Sequence, residues 1–313
     1  MPAAVTYSMR LSSKLSVSAS QRQTGVALII VLWVLVLVTI TVGSFSVSAR
    51  TENLQARQLL DGTRARYAAE AGIAMAVLNL RNPDIVNRWV PDGRIYALPF
   101  EEANLEISII DERGKLDINV VDELTLGSLL IGAGIDEMQV LPLVAAILDW
   151  RDPDDAVRLN GAEDAEYGSA ELPYGPRNGN FVILDELQQV LGMNYDLYRK
   201  LEPALTVYSR RRTIDPAFAP FEALMVMPGM TEDIARDFIN QRQSRDNSGD
   251  NTLLLPDGSA VAMRGIGPTQ SISIKATMPS GVWERLEVTI SLSPGKNQQA
   301  FQIMRWKEGV WES

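Results

Sequence analysis

Between residues 149 and 171 the sequence sets eight carboxylates (Asp149, Asp152, Asp154, Asp155, Glu163, Asp164, Glu166 and Glu171) against only Arg151 and Arg158. The core reads Asp149-Trp150-Arg151-Asp152-Pro153-Asp154-Asp155, then Asn160-Gly161-Ala162-Glu163-Asp164-Ala165-Glu166-Tyr167. Hard oxygen donors on a glycine-containing loop suit calcium better than zinc or copper. The spacing is not that of an EF-hand, and a solvated acidic loop that caps helices is the plainer alternative. Paired carboxylates can also hydrolyse glycosides. Here, however, such density makes a pair unavoidable, and Trp150, Tyr167 and Tyr174 read as core-closing aromatics rather than a sugar cleft. The chain has no histidine and no cysteine. That excludes Ser-His-Asp and Cys-His catalysis and any disulfide, and removes the commonest zinc ligand. No enzymatic activity is expected.

The elements that must position this loop show helical spacing. From about residue 121 to 251 apolar residues recur at three- and four-residue steps, in 124–130, 138–148, 184–191 and 234–239, with Pro142 expected to kink or divide the second run. A stretch this long must own a core, so it reads as a helical insertion. It contains a repeat: Leu187, Val190, Gly192, Met193, Asn194, Asp196 and Leu197 align with Leu224, Met227, Gly229, Met230, Thr231, Asp233 and Ile234. Each copy reads as helix, glycine turn, N-cap and helix, and resembles the helix-hairpin-helix unit that offers backbone N–H groups to phosphate. Asp196, Glu232 and Asp233 in the first turns repel an anion, and the Arg210, Arg211 and Arg212 cluster is short, so packing modules are the preferred reading.

Strand patterns flank the insertion. Residues 271–278 alternate polar and apolar, and Leu286, Val288, Ile290 and Leu292 alternate after the turn at Pro279-Ser280-Gly281. A third run at 301–306 follows Pro294-Gly295. Upstream, Leu105, Ile107 and Ile109 alternate, with residues 115–120 expected as a short partner strand.

The N-terminus explains what such a sheet packs on. A leader with Arg10, Lys14 and Arg22 and no acid ends at Gly25; Val26 opens an apolar run to Val42. Seventeen residues reach about 25 Å as a helix, roughly the hydrocarbon thickness of a bilayer, and the basic flank places the remainder outside the inner membrane. A cleavable signal peptide, cut near Val47-Ser48-Ala49, and an ordinary signal anchor are the alternatives. No proline interrupts residues 26–82, and Leu54, Leu59, Leu60, Ala68, Ala71, Met75 and Leu78 continue as an amphipathic stripe.

Basic leader, Gly25, apolar run and continuing amphipathic helix resemble a type IV pilin or pseudopilin precursor. The resemblance implies cleavage between Gly25 and Val26 by a prepilin peptidase, leaving Val26 as the mature N-terminus. Such precursors usually carry Glu at the fifth mature position, where this chain has Ile30. That departure, the large insertion and the acidic motif are similar to the K component of the type II secretion system, the largest minor pseudopilin. This implies an α+β pilin-like fold, with a leader (1–25), a stem helix (26–82), a sheet domain (83–120 and 260–313) and an inserted helical domain (121–259). It further implies structural calcium, with Asp152, Asp154, Asp155, Glu163 and Asp164 as ligands. It also implies I- and J-type minor pseudopilins as partners, with the H type a further candidate, at the tip of a periplasmic pseudopilus anchored in the inner membrane. A mature balance of 26 basic against 39 acidic residues suits no nucleic-acid partner. The remaining alternative is a membrane-anchored periplasmic module that holds DNA through its hairpins.

Overall fold

The proline-free stretch with few glycines forms one helix, α1 (Thr24–Leu80), which ends two residues before Asn82. The computed structural model describes residues 24–245, 252–262, 265–293 and 299–309; leader residues 1–23 and the expected turn at Pro294-Gly295 lie outside the described residues. The chain divides into two compact units, residues 1–58 and 59–313. The described part of the first is helix alone, with Val26, Leu28, Ile29, Ile30, Trp33 and Leu35 all exposed. This helix is long and apolar enough to cross a membrane.

The second unit starts within α1. After it come β1 (Asp92–Phe100), β2 (Ala103–Asp111), the two-residue β3 (Leu116–Asp117), α2 (Glu123–Gly132) and α3 (Glu137–Arg151). Next are α4 (Asp164–Ser169), α5 (Tyr195–Leu201), β4 (Leu205–Thr206), α6 (Phe221–Leu224) and α7 (Glu232–Ser244). A small hairpin, β5 (Thr252–Leu254) and β6 (Ala260–Ala262), precedes β7 (Thr269–Thr277), β8 (Trp283–Ser291) and β9 (Gln302–Glu308).

Five strands make one antiparallel sheet in the order β1-β2-β7-β8-β9. Strict alternation puts Leu105, Ile107, Ile109, Ile272, Ile274, Leu286, Val288 and Ile290 on one face. They close a core with Ala65, Ala68, Ala69, Ile73, Ala76 and Leu80, which recur at helical spacing on α1. Gly72 lies on this stripe: a Cβ there would stand 3.1 Å from Ile274 and 3.4 Å from Ile107. The small residues let helix and sheet approach closely. The fold is α+β, with the apolar N-terminal helix running into a helix that backs an antiparallel sheet.

Residues 112–268 interrupt that sheet between β2 and β7 and own a separate core around Leu126, Leu130, Val144, Ile147, Trp150, Leu187, Leu201, Phe218 and Leu224. Several expectations change. The segment 115–120 does not partner β2: only β3 is strand, and it pairs in parallel with β4. Its chain turns at once because Asp117 receives the N–H groups of Asn119 and Arg210 on its side chain and those of Val120 and Val121 on its carbonyl. Pro142 does not divide α3, which runs unbroken from its Asp136 cap. Residues 184–191 give a six-residue 3₁₀ turn, not an α-helix. The repeat keeps its punctuation. Gly192 and Gly229 both have positive φ (87° and 75°), and Asn194 and Thr231 cap α5 and α7. The arms before the two glycines are only that 3₁₀ turn and the four-residue α6.

Candidate functional site

The acidic loop hangs from the end of α3. Asp149 occupies its last turn and is fully buried; Asp152 is its C-cap. Asp149 is stitched to the returning chain: Oδ2 accepts the N–H of Ala162 at 2.9 Å and of Arg158 at 3.2 Å. The close return requires Gly161, since a Cβ there would overlap Asp149 Oδ2. A single guanidinium nitrogen, Arg158 Nη1, reaches Asp149 Oδ1 at 2.7 Å and also bonds Asp152 Oδ2. Asp154 turns the loop by accepting the N–H of Ala156. Asp155 Oδ1 accepts Asn178 Nδ2 at 2.6 Å, bringing in a residue from the far side of the loop.

Glu163 caps α4 and is buried, and its N–H donates to Glu166 Oε2 at 3.0 Å. Burial, and after it the negative field of Asp149, Asp152, Asp155 and Asp154, push its carboxyl up to about 7. Asp164, in the first turn of α4, faces Gly175, where a Cβ would overlap its Oδ1. Beneath the loop, Trp150 stacks on Phe181 (centroids 5.9 Å apart) and tilts against Tyr167. The hydroxyl of Tyr167 in turn accepts the Leu191 N–H at 3.0 Å. These aromatics floor the loop.

Do these residues suit a hard cation? Asp152 Oδ1, Glu163 Oε1 and Asn178 Oδ1 are buried oxygens with no hydrogen-bond partner. Unpartnered buried oxygens are costly, and a cation is one thing that would satisfy them. The donor chemistry, all oxygen, fits calcium. As they stand, no three Asp or Glu side chains among the described residues converge on one point. Sequence reasoning missed Asn178, whose Asn-Gly context with Gly179 reads as a turn, and it counted Arg158 as a neighbouring charge rather than a bridge. Of the expected ligands, Asp152, Asp154, Asp155 and Glu163 share one electrostatic neighbourhood, while the contact of Asp164 is with the Gly175 backbone.

A second polar constellation joins insertion to sheet. Arg305 on β9 donates to Asp185 at 3.0 Å and Glu202 at 2.9 Å, and Lys307 reaches both oxygens of Glu202. Burial opposes it, but the hydrogen bonds from Lys307 and Arg305 hold Glu202 below the usual carboxylate range. At the other edge the buried Arg242 of α7 donates to the carbonyls of Pro216, Ala219 and Asp92. The hairpin-like repeat offers no comparable anion site. Carboxylates fill the first turns of α5 and α7, where Glu232 pairs with Arg236 at 2.6 Å.

A family model, type II secretion system (T2SS), protein K, matches residues 106–210. The putative type II secretion system protein K of Escherichia coli K12 is 26% identical over 210 residues, an alignment that spans 60% of this chain and 63% of that relative. The Klebsiella pneumoniae protein K is 27% identical over 248 residues, covering 71% of this chain and 76% of its own. In fold the chain is similar to one in the crystal structure of the GspK–GspI–GspJ complex from enterotoxigenic Escherichia coli. That likeness has a TM-score of 0.57 at 16% identity, covering 82% of this chain and all of the other. With a helix-backed sheet split by a helical insertion, and with relatives of one name along most of its length, the chain is similar to the type II secretion system protein K family.

Proposed function

We propose that this chain is a minor pseudopilin that caps and helps to start the periplasmic pseudopilus of a type II secretion system. The carrying observation is one continuous helix, apolar where it exposes Val26 to Val42 and small-residued where it backs the sheet. Such a helix can stay in the membrane with its equivalents from other subunits while the folded part stands in the periplasm. A prepilin peptidase would cut between Gly25 and Val26, both at the start of α1. Ile30 at the fifth mature position removes the buried charge that a Glu would have to pair, so this subunit can dispense with that pairing to a neighbour. The insertion is bulk that another subunit would have to pass in order to add above, which suits a first, terminal position. The fold neighbour comes from a complex of K, I and J types, and we assign I- and J-type pseudopilins as partners here, with the H type a further candidate.

The acidic loop would hold structural calcium, with Asp152, Asp155, Glu163 and Asn178 supplying oxygens and Asp154 and Asp164 at its flanks. The ion would neutralise crowded carboxylates and let the loop fold compactly without a disulfide. The role is structural rather than catalytic. Two experiments test the reading. N-terminal sequencing of the membrane-extracted protein should begin at Val26, and a start near Arg50 would remove the membrane handle and defeat the proposal. Co-expression with I- and J-type pseudopilins should yield a purified ternary complex. Recovery of this chain alone, with the others soluble and unbound, counts against the tip role.

A further inference from the structure

We propose that Arg158 sets the calcium affinity of the acidic loop by acting as an internal cation that the metal must displace. This rests on the calcium reading above and adds to it a residue that opposes binding. One nitrogen of Arg158 bridges Asp149 and Asp152, the last-turn and C-cap carboxylates of α3. It is therefore already the counter-ion for two of the five clustered acids. It leaves three oxygens without a partner: Asp152 Oδ1, Glu163 Oε1 and Asn178 Oδ1 are buried, and Glu163 is only 6% exposed. A calcium ion seeks six to eight oxygens. Three stand without partners, but the neighbouring Asp152 Oδ2 and Asp149 Oδ1 are held by the guanidinium. Two cations cannot share those carboxylates cheaply, so metal entry requires Arg158 to leave. Its side chain is 42% exposed and can swing into water without opening the core beneath. One contact thus has two effects, since it stabilises the metal-free loop and lowers its affinity for the ion.

The test is calorimetric titration of calcium into the chelator-stripped, full-length protein in detergent, paired with thermal melting. Arg158→Gln should bind calcium about tenfold or more tightly than the parent while melting at a lower temperature without metal. Arg158→Lys keeps the charge but loses the planar fork, and should fall between the two. Equal or weaker binding by Arg158→Gln overturns the role of Arg158 and leaves the calcium reading standing. Absence of calcium binding in both parent and variant overturns the calcium reading itself. Should Arg158→Gln fail to fold without metal, recovery of its melting transition at a lower calcium concentration than shifts the parent supports displacement; no recovery counts against it.

Discussion

Glu163 shows how much one carboxyl can say about its surroundings. Its ordinary value of 4.5 is raised to about 7 by burial and four neighbouring aspartates, two of which Arg158 bridges. Between those values the folded metal-free protein holds a proton that the unfolded chain has released. Stability is therefore fully present below about pH 4.5 and is lost as pH rises through about 7, by on the order of 3 kcal/mol at 1.36 kcal/mol per unit. Melting in EDTA should show this fall, Glu163→Gln should flatten it, and added calcium should abolish it; a parent and variant with parallel profiles would refute the assignment. At Gly161 the prediction is steric. Gly161→Ala drives a methyl into Asp149 and should cost about 1–3 kcal/mol by denaturant melting. This part of the site was legible in sequence because it is compositional: carboxylates crowd a short loop. Asn178 was not, because nothing in an Asn-Gly pair tells which side chain 23 residues earlier it will meet.

Elements were legible in proportion to their periodicity. The period-two runs of β7 and β8 could be read directly, because each presents one continuous face to one core. The stripe expected on α1 was misplaced: Leu54, Leu59, Leu60 and Leu78 are exposed, and of that set only Ala68 is fully on the buried face, which is built from the smaller Ala65, Ala69 and Ala76 with Ile73 and Leu80. Strand β1 could not be read, since it carries Gly93 and Pro99, and as an edge strand it needs no regular ladder on its outer side. Two-residue β3 exists only through its partner β4, almost ninety residues away, which no local pattern encodes. Gly72 offers a test at this scale. Gly72→Ala gains helix propensity of about 1 kcal/mol and meets mobile side-chain ends at 3.1–3.4 Å, so it should be near neutral. Gly72→Leu cannot be accommodated between Ile274 and Ile107 and should lose about 1–3 kcal/mol in chemical denaturation. Equal melting of the two variants would mean that helix and sheet are not closely packed there.

At the scale of residues 59–313, two apolar cores are joined by polar seams rather than by a shared interior. The seam at Glu202 binds the insertion to β9 and should dominate docking on that side. Glu202→Gln leaves Arg305 and Lys307 short of their counter-charge and should cost roughly 2–4 kcal/mol, since both cations are only partly exposed. Because Glu202 is held below its usual range, this contribution is present above the unfolded value of about 4.5 and disappears as pH falls. Limited proteolysis should therefore cut between insertion and sheet sooner in the variant at neutral pH, with the difference vanishing in acid. The order of strands, helical middle and long first helix could be inferred from sequence. The seams could not, because each joins residues more than a hundred positions apart whose types alone are ordinary surface types.

Strands β2 and β7 are neighbours in the sheet although residues 112–268 lie between them, and Asp111 clasps Gly267 and Gln270 across the gap. Bringing such distant ends together in an unstructured chain costs about 4–5 kcal/mol of closure entropy, and far less once the intervening segment has collapsed with its two ends side by side. Topology therefore favours an order of assembly: once the middle has condensed, β2 and β7 meet at a lower entropic cost and join the two outer hairpins into one sheet. On leaving the membrane the newborn polypeptide would expose half-built strand edges for as long as that condensation takes, a window in which speed rather than final stability decides its fate.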